Sequence, residues 1–213
     1  MSGGRARGLP ERAPSPFPGR LVLVVGPSGA GKDSVMRAAR DGLPDGEPDA
    51  GRDIRFVTRW ITRPAEDEAA TVGEAHRPVD PETFERLAGE GAFALHWAAH
   101  GLRYGLPVTI EGWLAEGAVV VANVSRTVID RARARYPGLV VLHITAAPAV
   151  RARRLAARGR EGEAEVAARL ARADLAVPEG GDVVMVANDG DLAAAAARVR
   201  DLLLTLVREA GRR

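Results

Sequence analysis

The chain of 213 residues is long enough for one domain with room for a small insertion. It carries no cysteine, which excludes disulfide scaffolds, thiolate zinc sites, iron–sulfur clusters and cysteine nucleophiles. A net charge of +2 admits anionic ligands but falls short of a nucleic-acid-binding surface, and no apolar run approaches the ~20 residues of a membrane span.

Residues 1–19 are rich in Gly, Pro and Arg and read as a disordered extension without a secretory signal. Leu21–Val25 is a continuous apolar run of the kind buried in parallel sheets. A helix is expected from 33 to about 41, a strand over Arg55–Trp60, and a helix over Pro81–Glu90 behind an Asp80 cap. Short strands are expected at Ala92–His96 and Leu102–Tyr104, then a helix over Pro107–Glu116 stopped by Gly117. Strand 118–124, helix 126–135, strand 139–145 and helix 148–158 follow. A helix over 164–176, a strand over Val183–Ala187 and a helix over 189–208 complete the chain, with 209–213 as a tail. This alternation predicts an α/β three-layer sandwich around a mostly parallel sheet. Residues 62–106 break the rhythm and read as an inserted subdomain of the domain spanning 20–208.

Directly after the first strand comes Gly26-Pro27-Ser28-Gly29-Ala30-Gly31-Lys32-Asp33-Ser34. It meets the phosphate-loop pattern G-x-x-x-x-G-K in its required context, strand before and helix after. The glycines let backbone N–H groups turn inward around a phosphate, and the helix N-terminus adds its positive end. Lys32, the one lysine beside 29 arginines, is placed to reach the β- and γ-phosphates of ATP. The next residue should be Ser or Thr, whose hydroxyl binds Mg²⁺. Here it is Asp33, followed by Ser34, and no neighbouring strand ends in Asp. A carboxylate beside a phosphate needs a cation between them, so Asp33 and Ser34 are the candidate Mg²⁺ ligands. The competing reading is that Asp33 only caps the helix.

Further pieces extend the comparison: the Thr62-Arg63-Pro64 turn, PETFERLAGEGAF, HGLRYG at 100–105, RGRE at 158–161, ARLARA at 168–173 and AND at 187–189. In these the chain resembles guanylate-kinase-like P-loop kinases from about residue 20 to 208. It departs where that group reads guanine: Leu95 stands in place of a Glu and Asn123 in place of an Asp. His76 replaces a phosphate-touching Tyr, and Glu66 replaces a second Arg. A leucine leaves guanine's N–H edge unpaired, which loses ~1–3 kcal/mol per group. Within the group, the pattern is most similar to the ribose 1,5-bisphosphate phosphokinases. The similarity lies in GPSG-x-GKDS, ITRP, Glu74 with His76, Ala94-Leu95-x-Trp97, GL-x-YG, Asn123-x-Ser125-Arg126, ARARY at 132–136, RGRE and NDG.

This resemblance implies transfer of the γ-phosphoryl of ATP, with Mg²⁺, to the 1-phosphate of ribose 1,5-bisphosphate. The alternative is a nucleoside monophosphate kinase; an inactive binding module on the same fold is a reading from another class. By resemblance, Lys32, Arg158 and Arg169 are catalytic, and the loop residues 26–34, Arg158 and Asn188 bind the nucleotide. Arg63, Glu74, His76, Leu95, Tyr104, Asn123, Ser125, Arg126, Arg169 and Arg172 are implied on the acceptor, and 158–172 forms a lid. Bland readings stay open for several: a solvated face for the lid arginines, a turn for Asn188, surface for His76. Arg59 is an acceptor candidate without a family match. Arg151, Arg153 and Arg154 read as solvated, and His96 and His143 as structural. The implied partners are ATP and a small sugar phosphate, in the cytoplasm, with no nucleic acid or membrane; a homodimer stays open.

Overall fold

The computed structural model describes residues 15–43, 54–63, 76–157 and 178–211. Five strands form one parallel sheet: β1 (Arg20–Val25), β2 (Ile54–Phe56), β7 (Val119–Asn123), β8 (Val140–Thr145) and β9 (Val183–Ala187). Their order is β2-β7-β1-β8-β9. All six residues of β1 are buried, because both faces of the sheet are covered. On one face lie α1 (Lys32–Asp41) and α6 (Leu192–Ala210), which pack Val35, Ala39, Val199, Leu203 and Leu206 onto Val22, Val24 and Leu142. On the other lie α3 (Ile110–Ala115) and α4 (Ile129–Arg135), packed on Leu21, Leu23, Val120 and Val141. These layers are the expected α/β sandwich. Helix α5 (Pro148–Ala157) follows β8.

A second sheet has the order β4-β3-β6-β5. It comprises β3 (Arg59–Ile61), β4 (His76–Pro78), β5 (Phe93–Ala99) and β6 (Leu102–Pro107). Only β3 and β4 run parallel. Helix α2 (Pro81–Gly89) starts at Asp80, whose carboxylate accepts from the Thr83 N–H at 2.8 Å as expected. Its Phe84 stacks on Phe93 at 4.7 Å.

Several boundaries differ from the sequence reading, among them β5, which runs to Ala99 rather than His96, and α6, which spans Leu192–Ala210 rather than 189–208. The single strand expected over Arg55–Trp60 is two: the Val57 N–H closes the ladder on Val121, and the chain crosses to the second sheet at Arg59. That sheet therefore spans 59–107, wider than the expected 62–106. Because β6 runs to Pro107, helix α3 starts at Ile110 rather than 107. The helix expected over 126–135 is a 3₁₀ turn (Arg126–Val128) leading into α4. The ends are more tied down than expected. Phe17 packs on Tyr136 at 6.1 Å, and Glu209, read as tail, accepts from the buried Arg20 at 3.1 Å. The lid 158–172 and helix 164–176 lie outside the described residues. Among the described residues no helix is long and apolar enough to cross a membrane.

Candidate active site

Strand β1 ends at Val25, and the phosphate loop turns into α1 through Gly31, whose φ of 79° favours glycine. A Cβ on Gly31 would also stand 2.6 Å from the Asn188 side-chain amide. Asn188 lies just past β9 and is 2% exposed. Its backbone N–H donates to Thr145 at 2.8 Å and its side-chain amide donates to the Ala30 carbonyl at 2.8 Å. The loop is thus held from below by a neighbouring strand end. The sequence places Asn188 toward the nucleotide; in the structure its amide nitrogen donates to the loop backbone. Lys32 Nζ donates to the Gly26 carbonyl at 3.2 Å, folding over its own loop.

Asp33 is exposed on the first turn of α1, and Ser34 beside it is half-buried. The Asp33 carboxylate makes no cap bond; it accepts from Asn123 Nδ2 at 3.4 Å. This joins α1 to the end of β7 across the cleft. Its carboxylate oxygens suit a hard divalent cation.

The acceptor candidates gather on one face of the second sheet. The β3–β4 register sets Arg59 opposite His76, and the β3–β6 register sets Ile61 opposite Tyr104. The Arg59 guanidinium sits 5.3 Å over the Tyr104 ring, and Trp97 stacks on that ring at 5.4 Å. Thr62 exchanges two bonds with Arg103, at 3.0 and 2.8 Å, which fixes the turn that carries Arg63. Burial, then Arg59 and Arg63, push the His76 pKa down to about 4, with Asp33 opposing. His76 is therefore neutral at pH 7. Arg59, Arg63, His76, Tyr104, Asn123 and Asp33 share one cleft beside the phosphate loop. Leu95 is 5% exposed and belongs to the core beneath this cleft with Trp97 and Leu106, rather than to its surface. Ser125 caps the 3₁₀ turn, its hydroxyl accepting from the Thr127 N–H at 3.4 Å and hydroxyl at 3.0 Å. Arg126 is half-buried next to it, its pKa lowered by burial and by Arg151. Glu74, Arg158, Arg169 and Arg172 lie outside the described residues.

Comparison with known proteins decides the family. The chain is 48% identical over 180 residues to a ribose 1,5-bisphosphate phosphokinase of Pseudomonas fluorescens, covering 82% of this chain and 90% of that protein. It is 50% identical to the protein of the same name from Acidiphilium cryptum, covering 89% and 94%. The chain belongs to the ribose 1,5-bisphosphate phosphokinase family. The Brucella melitensis member of the family is 50% identical over 179 residues, covering 83% and 87%. No protein-family model matches the chain. Among solved structures, guanylate kinase from Anaplasma phagocytophilum superposes with a TM-score of 0.58 at 19% identity, covering 89% of this chain and 86% of that one. The fold is therefore that of the guanylate-kinase-like P-loop kinases.

Two arginines were misread from sequence. Arg151, assigned to a solvated face, is 6% exposed, and its backbone carbonyl lies 2.9 Å from where a Gly29 Cβ would stand. Arg154 Nη1 lies 3.7 Å from the corresponding Gly31 position. Helix α5 thus sets two arginines beside the phosphate loop. The signal was in the spacing: Arg151 and Leu155, four apart, are the buried residues of α5. His96, expected to be structural, has an exposed side chain and lines a cavity of about 380 Å³ with Arg103, Thr127 and Arg131.

Proposed function

We propose that this protein transfers the γ-phosphoryl group of ATP to the 1-phosphate of ribose 1,5-bisphosphate, giving 5-phosphoribosyl 1-diphosphate and ADP. The observation that carries this reading is the near-50% identity to proteins of that name over almost their whole length. The guanylate kinase likeness, at 19%, concerns the fold alone.

The acceptor is an ionised phosphate, so no general base is required. The obstacle is repulsion between two anions, and the remedy is positioning and cationic clamping. The phosphate loop with Lys32 takes the ATP phosphates, and Gly26 and Gly31 let the loop pack against Ile144 and Asn188 where a Cβ would clash. Arg154 and Arg151 border the same loop. Asp33, with Ser34, would hold Mg²⁺, which neutralises phosphate charge when bound. Arg59, Arg63 and Tyr104 take the acceptor phosphates. Neutral His76 and Asn123 offer hydrogen bonds to sugar hydroxyls without adding charge. The second sheet is the acceptor-binding insertion, and 158–172, with Arg158, Arg169 and Arg172, is the lid. The setting is cytoplasmic.

A coupled ADP-release assay tests the reading. Ribose 1,5-bisphosphate should be turned over well and GMP poorly. A preference for GMP overturns the proposal.

A further inference from the structure

His143 has no part in the proposed function, yet it lies beside the phosphate loop. In the β8 register it stands next to Val25, the last residue before the loop. It is 3% exposed, and neither ring nitrogen has a hydrogen-bond partner among the described residues. Buried polar atoms in folded proteins are nearly always paired, and orphans point to a missing water, ion or ligand. The residues around it narrow the choice. Alternation along β8 puts the ring on the same face as Val141, towards Arg126. The charges that act on it are Arg126 and Lys32, and both oppose its protonation, as does burial. A neutral imidazole offers one N–H donor and one acceptor. Lys32 at the start of α1 and Arg126 just past β7 are close enough to act on it, and both suit phosphate oxygens.

We propose that His143 is a positioning residue for the nucleotide: its ring holds an ordered water beside the phosphate loop, and that water donates to a phosphate oxygen of bound ATP. Such a water bonds one of the two orphaned ring nitrogens, since they face away from each other across the ring. This rests on the nucleotide half of the proposed function and is independent of the acceptor's identity.

The test uses the full-length protein and two variants. His143→Leu removes both polar atoms, and His143→Gln keeps a neutral donor and acceptor. Calorimetric titration with a non-hydrolysable ATP analogue should show about tenfold weaker binding for the Leu variant. The Gln variant should stay within about threefold of wild type. The KM for the sugar bisphosphate should be unchanged, and the melting temperature of the unliganded Leu variant should not fall. Wild-type affinity in the Leu variant overturns the proposal. So does equal loss in both variants with a lower melting temperature, which marks a packing role. If wild type binds the analogue but makes no 5-phosphoribosyl 1-diphosphate, the acceptor reading fails while this inference keeps its own test. Failure of wild type to bind the analogue overturns both.

Discussion

The two halves of the cleft are built in opposite ways. On the donor side, β1, β7 and β8 are buried on both faces, and the site they carry is mostly backbone. Its shape is set by glycines that admit no Cβ and by Asn188 bonded to Ala30. On the acceptor side, a second sheet presents half-buried side chains, Arg59, Arg63, His76 and Tyr104. Nothing in that backbone dictates a phosphate or a sugar. A backbone cradle tolerates little change and keeps one ligand class. Side chains on a sheet can be exchanged singly, so substrate choice resides there.

The sharpest break is expected on the donor side. Lys32→Ala should lower kcat about a thousandfold, because it removes a charge aimed at the transferred group. Its melting temperature should hold, since Lys32 is a half-buried residue at the start of α1, outside the hydrophobic core. Single-turnover kinetics and thermal melts measure both. Near-normal turnover would remove phosphoryl transfer from this cleft.

Arg63→Ala tests the other half. It should raise the KM for ribose 1,5-bisphosphate roughly 10- to 100-fold, the effect of losing charge-assisted bonds to phosphate. The KM for ATP should stay within about twofold. A rise in the ATP KM instead would move Arg63 to the donor side and dissolve the division.

Leu95→Glu asks whether acceptor choice is a single-residue matter. Leu95 is 5% exposed among apolar neighbours, so a carboxylate there is buried without a cation. Stability should drop by about 3 kcal/mol, read from chemical denaturation. No efficient GMP turnover should appear, because Asn123, His76 and Glu66 also differ from the guanine-reading pattern. A competent GMP kinase from this one change would refute the distributed view.

The same division governs what could be read from the chain. The donor side was legible because its signals are local: an apolar run, a glycine-rich turn, a lysine and a helix. Strand β9 fell on the expected residues, and Asp80 caps α2 as the sequence implied. Arg59 could be placed only once β3 separated from β2, since the break depends on pairing with β7 across the sheet. Ser125 looked like a ligand because it follows a strand end, yet a turn takes its hydroxyl. Arg151 looked solvated because charge normally is, although its spacing of four from Leu155 sets both on the buried face of α5. Long-range contacts decided the placement of Arg59, and a local turn bond decided Ser125.

The smallest effect is expected at His76, and it tests whether the acceptor side is held by charge. Burial, Arg59 and Arg63 keep this histidine neutral, with a pKa near 4 against the ordinary 6.5. Above pH 6.5 the ring is neutral whether the chain is folded or not, so it has no influence on stability there. As pH falls from 6.5 towards 4, the unfolded chain takes up the proton first, and stability drains across that window. His76→Gln removes the titration, so its stability should fall less between pH 6.5 and 4 than that of wild type. Some slope should remain, because His143 is also held below its ordinary value. Denaturation midpoints at pH 7.5, 6 and 5 measure the difference. Parallel curves for the two proteins would mean that His76 titrates normally, and that the arginines do not crowd it as the cleft geometry requires.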